Sequence, residues 1–234
     1  MNKNQKRLLL KGASNVRDIG GYPITTGVIT KFTKFTKWKT FIRCEESQRL
    51  DEDDVSILYD YGIRTAIDLR CGWEALKNDN FYPAIVYKNI PMIDTYDNIS
   101  EHFYFHMVDN FKDNIKRIFE YIGERISCGG IIYNCVSGKD RTGVISAILL
   151  LLCGVSELDV IADYMVSEIY LRLFAERHKL TPDKIGSNAE YMEQFVLYLN
   201  EKYSGAEQYL LSIGLSIKVV ENIKVNFISN FIPN

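Results

Sequence analysis

The feature that most restricts the fold is an uninterrupted run of three segments between residues 131 and 155. The apolar stretch IIYN leads into the polar loop CVSGKDRTG, which leads into VISAILLLLCGV, a segment that is apolar on every side. A helix that is apolar all round is buried, and a short apolar stretch bounded by polar residues is typical of a buried strand. The loop therefore joins the end of an interior strand to the start of an interior helix.

The first two thirds of the chain repeat this alternation of helix and short apolar strand. An acidic helix start in LDEDDVSILYDY ends at Gly62 and precedes a strand predicted over residues 65–69, and a second strand ends near Pro91. Apolar residues recur every three or four positions over residues 108–126, which predicts an amphipathic helix. Helices that alternate with such strands predict an α/β fold with a central, mostly parallel sheet flanked by helices.

The last third of the chain is predicted to be helical. SELDVIADYMVSEIYLRLFAER opens with Ser156 and Asp159 at the spacing of a capping box, and NAEYMEQFVLYLNEKY and SIKVVENIKVNFI have apolar faces of helical period. This block either packs beside the sheet or covers a site, so a helical lid within about residues 156–205 is one prediction. Because no internal repeat or low-complexity linker divides the chain, we predict a single domain over residues 1–234.

Composition excludes several classes of partner and of location. The 234 residues carry a net charge of −2, so no overall attraction to nucleic acid is expected and an anion site has to be built locally. Five cysteines without a C-x-x-C pair argue against a secreted disulfide framework. The longest apolar run, residues 144–155, is shorter than the ~20 residues that span a bilayer, and no secretory signal is recognisable. We therefore predict a cytoplasmic protein without an integral membrane segment.

The polar loop has the features of a phosphate site with a nucleophile. Backbone N–H groups between a strand end and a helix start form an anion cradle at the positive end of the helix dipole. Cys135 stands at the base of this cradle, and the planar cation of Arg141, five intervening residues later, can grip two oxygens of one phosphate. A thiolate below a phosphate monoester is placed for in-line attack, which gives a thiophosphate that water then hydrolyses.

An isolated cysteine beside an apolar strand is more often a structural thiol. Here the strand, the cysteine-to-arginine spacing and the following helix together favour the functional interpretation. The predicted phosphate-binding residues are Val136, Ser137, Gly138, Lys139, Asp140 and Arg141.

The loop CVSGKDRTG resembles the signature loop of the protein tyrosine phosphatase superfamily, specifically of the bacterial atypical tyrosine and dual-specificity phosphatases, whose loops read C-x-x-G-K-D-R-T-G. Further segments resemble that family in the same order: NVRDIGG, FIRCEESQRL, GIRTAIDLR followed by Glu74, ADYMVSE and YSGAEQYLLSIGL. The resemblance extends over about residues 12–229. It implies a cysteine-phosphatase-like fold and a phosphatase without a cofactor, in which Cys135 is the nucleophile and Arg141 the phosphate-binding arginine.

The same resemblance implies the substrate class. Phosphotyrosine is the expected substrate, with phosphoserine and phosphothreonine as further candidates. A second loop cation, Lys139, resembles phosphatases that accept phosphoinositides alongside phosphoproteins, since it adds charge for a polyanionic head group. Alternatively, Lys139 merely balances Asp140.

Two carboxylates are candidates for the general acid that protonates the leaving group, and the resemblance supports both. Asp140 lies within the loop, and we assign it slightly ahead because it matches the loop pattern in register. Asp94 follows a predicted strand in IPMIDTY, from where a loop could bring an acid over the phosphate. The alternatives are an ion-pairing or helix-capping role for Asp140 and a turn-forming role for Asp94.

Asn134 departs from the family, whose loop usually begins His-Cys. Asparagine keeps hydrogen-bonding capacity but cannot carry a charge, so we expect an active enzyme with an altered pH dependence. A catalytically weak phosphate-binding module is the alternative.

Other polar residues are assigned supporting roles. Cys44 either forms a protective disulfide with Cys135 or, as we favour, is a buried free thiol. The three histidines, His102, His106 and His178, lack the spacing of a metal site, so no metal is predicted. Residues expected either to order the loops beneath the cradle or to form structural ion pairs are Asn15, Arg17, Asp18, Asp68 and Arg70.

Overall fold

The computed structural model describes residues 4–24, 34–75, 85–94 and 103–229. The strands in these ranges are β1 Arg17–Asp18, β2 Pro23–Ile24, β3 Lys34–Thr36, β4 Phe41–Cys44, β5 Ile63–Asp68, β6 Val86–Asn89, β7 Gly130–Asn134 and β8 Ile228–Ser229. The helices are α1 Glu52–Tyr61, α2 Phe103–Asn110, α3 Lys112–Arg125, α4 Asp140–Leu152, α5 Glu157–Tyr170, α6 Arg172–His178, α7 Pro182–Ile185, α8 Ala189–Tyr203, α9 Ala206–Ser212 and α10 Ile217–Phe227.

Over the described ranges the larger sheet has five strands in the order β1-β4-β7-β5-β6. The strands β4, β7, β5 and β6 are parallel, and only β1 runs antiparallel to its neighbour β4. The smaller antiparallel sheet has the order β2-β3-β8. The predicted α/β class with a mostly parallel central sheet is therefore confirmed, as is the helical last third.

Both faces of the larger sheet are covered, as a parallel sheet requires. Along β7, Ile131 and Tyr133 point into the main core, which they share with residues of α3, α4, α8, α9 and α10. The intervening Ile132 points to the opposite face, where it packs in a second cluster with Leu58 of α1. This alternation is the two-residue period of a strand, and burial on both faces explains why residues 131–133 are all apolar or aromatic.

Two helices predicted as continuous are each divided in the structure. The period over residues 108–126 covers the end of α2 and all of α3, because Phe111 between them has a non-helical backbone (φ −118°, ψ 38°) although it keeps the apolar spacing. The segment after Ser156 divides at Leu171, which is buried with Phe174 in a small separate cluster. The two parts of each segment contact different neighbours, which periodicity does not record.

The predicted helix start at Ser156 is confirmed in part. The Ser156 hydroxyl accepts a hydrogen bond from the Asp159 N–H at 3.2 Å. The Asp159 carboxylate accepts from the same hydroxyl at 2.7 Å instead of from the Ser156 backbone, so the second bond of a capping box is replaced. A complete box occurs at α1, between Asp51 and Asp54.

The strand register places the cysteine loop at the carboxyl edge of the sheet. Cys44 of β4 and Asp68 of β5 are the partners of Asn134, the last residue of β7. Ligands of open α/β sheets bind outside this edge, so the loop that follows Asn134 occupies a favourable position for a binding site. None of the helices in the described ranges is long and apolar enough to cross a membrane.

Candidate active site

The loop of residues 135–139 is pressed against the end of β4. Gly138 has φ +66°, and a Cβ at this position would lie 2.4 Å from the Cys44 carbonyl oxygen. Only glycine meets both requirements, because other residues are strained at positive φ and any side chain would collide with this backbone. The Val136 carbonyl also accepts from the Glu46 N–H at 2.9 Å. The loop is therefore fixed by backbone contacts to β4 and the residues that follow it.

Two buried side chains hold the carbonyl groups of the loop on one side. Asn15 Nδ2 donates to the carbonyls of Ser137 at 2.9 Å and Gly138 at 3.3 Å. Arg43 Nη2 donates to the carbonyls of Gly138 at 2.9 Å and Lys139 at 3.3 Å. In a trans peptide the N–H points opposite to the C=O, so the N–H groups that follow these carbonyls face away from Asn15 and Arg43. Successive N–H groups oriented in this way at a helix start form an anion-binding concavity.

Arg141 lies in the first turn of α4 and is held by a carboxylate. Its Nη1 donates to Glu74 Oε2 at 2.7 Å, and its Nη2 donates to Glu74 Oε1 at 3.1 Å. Glu74 Oε2 also accepts from the Cys71 N–H at 2.8 Å. This two-point contact sets the plane of the guanidinium beside the loop. Glu74 was noted in the sequence without a role, since nothing local links it to a residue 67 positions away.

Cys135 directly follows β7 and is buried, with 2% of its surface exposed. Asn134, also buried, places its Nδ2 3.5 Å from the Cys135 carbonyl oxygen, a long contact at best. All five cysteines are free thiols. Burial, followed by the charges of Glu45 and Cys135, raises the pKa of Cys44 well above its ordinary value. Cys44 is therefore the buried free thiol that the sequence favoured.

Asp140 is the first residue of α4 and borders an open cleft. Its Oδ1 accepts a hydrogen bond from Tyr104 Oη at 2.7 Å and lies 3.6 Å from Lys139 Nζ. About a third of the side chain is exposed. The cleft has a volume of about 510 Å³, a size typical of ligand sites. Its lining is mostly aromatic and consists of Phe103, Tyr104, Phe105, Lys139, Asp140, Tyr191 and Gln194.

Comparison with known proteins identifies the class of site. The sequence model described as the tyrosine phosphatase family matches residues 8–229. The chain belongs to this family. A tyrosine-protein phosphatase of Nostoc commune is 26% identical to this chain, and the match covers 79% of this chain and 73% of the relative. The predicted resemblance to bacterial tyrosine phosphatases is thus confirmed, and the enzyme class is that of a protein-tyrosine-phosphatase-type hydrolase.

Two solved structures are also similar. P. aeruginosa TpbA is 11% identical with a TM-score of 0.46, and the match covers 82% of this chain and 96% of TpbA. A cysteine-to-serine variant of TpbA in complex with pTyr is 10% identical with a TM-score of 0.38, and the match covers 70% of this chain and 93% of the variant.

A buried charge cluster lies beneath the loop of this tyrosine phosphatase. Asp163 of α5 is 1% exposed and accepts from Arg17 Nε at 3.1 Å, from Arg43 Nη1 at 2.6 Å and from Tyr22 Oη at 3.0 Å. Burial by itself would raise the pKa of Asp163, but the charges of Arg17, Arg43 and Lys6 outweigh it and hold the pKa well below its ordinary value. Asp163 thus fixes Arg43, which in turn holds the loop carbonyls.

The polar residues that were predicted either to order the loops or to form ion pairs lie in different environments in the structure. Asn15 and Arg17 act beneath the loop, where Arg17 Nη1 donates to Asn15 Oδ1 at 2.5 Å. Asp18 instead accepts from Tyr61 Oη at 2.8 Å and from two backbone N–H groups, and burial raises its pKa to about 6. Asp68 and Arg70 form a structural ion pair at 2.7 Å. Asp163 itself was not identified from the sequence, although it lies in the ADYMVSE segment.

Asp94, the second candidate acid, forms its side-chain hydrogen bond with a residue of α3. Asp94 is exposed, and its Oδ1 accepts from Asn114 Nδ2 of α3 at 2.9 Å. Within the described ranges it makes no hydrogen bond or ion pair to residues 135–141. Asp140 is the candidate acid that lies in the loop region itself.

A residue of the loop motif that the sequence did not single out is Thr142. Its hydroxyl is buried and finds no hydrogen-bond partner within the described part of the chain. An unsatisfied buried hydroxyl costs about 1–3 kcal/mol.

The histidines do not converge. His106 Nδ1 contacts Asn110 Nδ2 at 2.7 Å, His178 Nε2 lies 3.4 Å from Glu46 Oε1, and His102 is outside the described residues. Among the residues that the structure describes, no group of three or more histidine, cysteine, aspartate or glutamate side chains could hold a metal ion.

Proposed function

We propose that the protein hydrolyses phosphotyrosine through a thiophosphate intermediate on Cys135. The observation that carries this proposal is the conformation of the loop that begins at Cys135. Asn15 and Arg43 hold its carbonyl groups on one side, so its N–H groups face the opposite side. In the first step the Cys135 sulfur attacks phosphorus in line, and the bond to the tyrosine oxygen breaks. Water then attacks the phosphorus, which releases phosphate and the Cys135 thiolate.

Arg141 and the loop N–H groups stabilise the transferring phosphoryl group. Phosphoryl transfer depends on positioning and charge stabilisation, and a guanidinium offers two parallel donors to two oxygens. Glu74 supports this role because it sets the guanidinium plane before substrate binds. The backbone cradle comprises residues 136–141.

Asp140 is proposed as the general acid in preference to Asp94. A general acid has to be within hydrogen-bond reach of the leaving oxygen. Asp140 borders the cleft next to the loop, whereas Asp94 bonds to Asn114 on α3. Asp140 gives its proton to the tyrosine oxygen in the first step and takes one from water in the second.

Asparagine substitutions separate the two carboxylates. We expect Asp140→Asn to lower kcat for phenyl phosphate, a poor leaving group, by about 10²–10⁴-fold, and to lower kcat for p-nitrophenyl phosphate far less. Asp94→Asn should affect the two substrates equally and weakly. Steady-state kinetics on both variants give the comparison. A selective loss in Asp94→Asn alone would reverse the assignment, and no selective loss in either variant would reject both residues.

The contacts of Lys139 favour phosphotyrosine over phosphoinositides. Lys139 Nζ donates to the Gly186 carbonyl at 2.7 Å, lies 3.6 Å from Asp140 Oδ1 and is largely buried. A lysine engaged in this way balances Asp140 and has little freedom to reach a second phosphate. The assay described below compares phosphotyrosine with phosphoinositides and also with phosphoserine and phosphothreonine.

The helices α6 and α7 are proposed as the cover that was predicted within residues 156–205. Phe174, Ala175 and Ile185 of these helices form an apolar cluster with Leu171, which precedes α6, and this cluster packs against Val136 of the loop. The bond from Lys139 to Gly186 joins the end of α7 to the same loop. The single domain over residues 1–234 and the cytoplasmic location stay predictions.

Replacing the nucleophile tests the function as a whole. We expect Cys135→Ser to lower turnover of a phosphotyrosine peptide by about 10⁶-fold, because removal of a nucleophile eliminates the covalent route. The assay measures phosphate release from phosphotyrosine, phosphoserine and phosphothreonine peptides and from phosphoinositides. Cys128→Ser, at an exposed free thiol, is the control and should keep full activity.

Release of phosphate by wild type that does not depend on Cys135 would contradict the mechanism. If wild type binds these ligands but releases no phosphate from any of them, the protein is the catalytically weak binding module that Asn134 suggested.

A further inference from the structure

A pair of buried tyrosines lies behind Asp140. Tyr104 Oη of α2 is 2.7 Å from Asp140 Oδ1 and 2.6 Å from Tyr164 Oη of α5. The two rings pack edge to face with centroids 6.0 Å apart. Tyr164 is 1% exposed and Tyr104 is 8% exposed, so water competes little for these hydroxyls. A chain of two hydrogen bonds thus links side chains of three helices and ends at the Asp140 carboxylate.

The chemistry of the groups fixes the direction of this hydrogen-bond chain. Each tyrosine hydroxyl has one proton to donate, and an ionised carboxylate can only accept. Tyr104 therefore donates a hydrogen bond to the ionised Asp140 and accepts one from Tyr164. Burial, followed by the charge of Asp140, raises the pKa of Tyr104 well above its ordinary value, so Tyr104 keeps its proton throughout.

The chain distinguishes the two oxygens of Asp140. Oδ1 accepts from Tyr104, and the ammonium group of Lys139 lies 3.6 Å from the same oxygen. Because Oδ1 already accepts the Tyr104 hydrogen, a second hydrogen on this oxygen would face the first. The proton of the neutral acid is thereby directed to Oδ2.

We propose that Tyr104, supported by Tyr164, is a positioning residue that aims the proton of Asp140 at the leaving group. The inference rests on the proposed function, in which Asp140 is the general acid. As the bond from Cys135 sulfur to phosphorus forms and the ester bond breaks, the Oδ2 proton passes to the departing oxygen. Asp140 becomes a carboxylate, and its bond from Tyr104 strengthens because bonds to ionised acceptors are stronger. Tyr104 donates no proton to the substrate.

Removing one hydroxyl tests this role. We expect Tyr104→Phe to lower kcat for phenyl phosphate by about 10-fold to 100-fold, the effect of losing a hydrogen bond to a charged group. The kcat for p-nitrophenyl phosphate should change little, because its leaving group needs little protonation. Tyr164→Phe keeps the bond from Tyr104 to Asp140 and should give a smaller loss of the same selective kind.

A matched control exists at the opposite end of the helices that carry Tyr104 and the cleft residue Tyr191. Tyr203 of α8 donates to Asp109 Oδ1 of α2 at 2.5 Å, so Tyr203→Phe removes an equivalent bond away from the loop. This control substitution should leave kcat unchanged for both substrates. Circular dichroism and thermal melting verify that each variant is folded, and Tyr164→Phe gives an independent measurement if Tyr104→Phe is not.

The outcomes separate the inference from the function on which it rests. Equal losses on both substrates, or no loss, in folded Tyr104→Phe would mean that Tyr104 is only structural. A selective loss in Asp140→Asn without one in Tyr104→Phe contradicts the positioning role and leaves the proposed acid in place. No selective loss in Asp140→Asn removes the proposed acid and the inference with it.

Discussion

Arg141→Lys is expected to lower kcat/KM for a phosphotyrosine peptide by about 10²–10³-fold, the effect of losing one preorganised oxyanion donor. Lysine keeps the charge but replaces two parallel donors in a fixed plane with a single ammonium group on a flexible stem. It also cannot reproduce the two bonds to Glu74, at 2.7 and 3.1 Å, that orient the guanidinium. Steady-state kinetics and inhibition by inorganic phosphate measure the loss, which should appear in both kcat and phosphate affinity.

Arg64→Lys is the matched control for this substitution. Arg64 Nη1 donates to the carbonyls of Tyr59 and Ile63, at the opposite edge of the sheet from the loop. Its replacement should leave kcat/KM unchanged. Activity of Arg141→Lys within about tenfold of wild type would mean that the loop N–H groups alone stabilise the phosphoryl group.

Asp163→Asn is expected to lower the free energy of unfolding by about 3–5 kcal/mol, because it leaves two buried cations without their counter-charge. Arg17 and Arg43 are each 1% exposed and both pair with Asp163. Activity should also fall, since Arg43 holds the carbonyls of Gly138 and Lys139. Urea denaturation measures the stability, and kinetics on the folded variant measure the activity.

A surface ion pair provides the control for the buried cluster. Glu207 pairs with Lys224 at 2.8 Å, and both side chains are partly exposed. Glu207→Gln should cost less than about 1 kcal/mol, as is usual for exposed pairs. If Asp163→Asn also lowered the free energy of unfolding by less than about 1 kcal/mol, Arg17 and Arg43 would have found other partners in the variant.

The contribution of Asp163 should also depend on pH in a defined direction. Its pKa in the folded protein is held below the ordinary value, mainly by Arg17 and Arg43 against the opposing effect of burial. Such a group contributes its full stabilisation above the unfolded-state pKa of about 3.9, and the contribution is lost as pH falls toward the folded-state pKa. The difference in unfolding free energy between wild type and Asp163→Asn should therefore be constant near neutral pH and shrink below about pH 4.

Local patterns predicted the elements of the fold but not all of their limits. The strand of residues 131–134 and the helix after it were recognisable because each buries nearly every side chain. The break at Phe111 was not recognisable, because Phe111 continues the apolar spacing of the helix while its backbone leaves the helical region. Periodicity records which residues face the core, and it does not record where a helix turns to meet a different neighbour.

Some features of the candidate site were also predictable from the sequence, and others were not. Cys135, Arg141 and the glycine between them were predicted from the local sequence and its resemblance to the family loop, because a phosphate cradle is a local strand–loop–helix unit. Between Asp140 and Asp94 the sequence could state only a slight preference. The structure adds what distinguishes them, namely the bond from Tyr104 to Asp140 and the bond from Asn114 to Asp94.

By itself, the sequence determined the family and the α/β class and predicted the residues of the cradle, because these depend on short motifs and patterns along the chain. Only the tertiary structure identified Glu74 as the partner of Arg141, Asp163 as the counter-charge of Arg43 and Tyr104 as the donor to Asp140. These pairs are separated by 67, 120 and 36 residues. A carboxylate or hydroxyl at such a distance has no local signal for its partner, since the fold, and not the spacing, brings the two groups together.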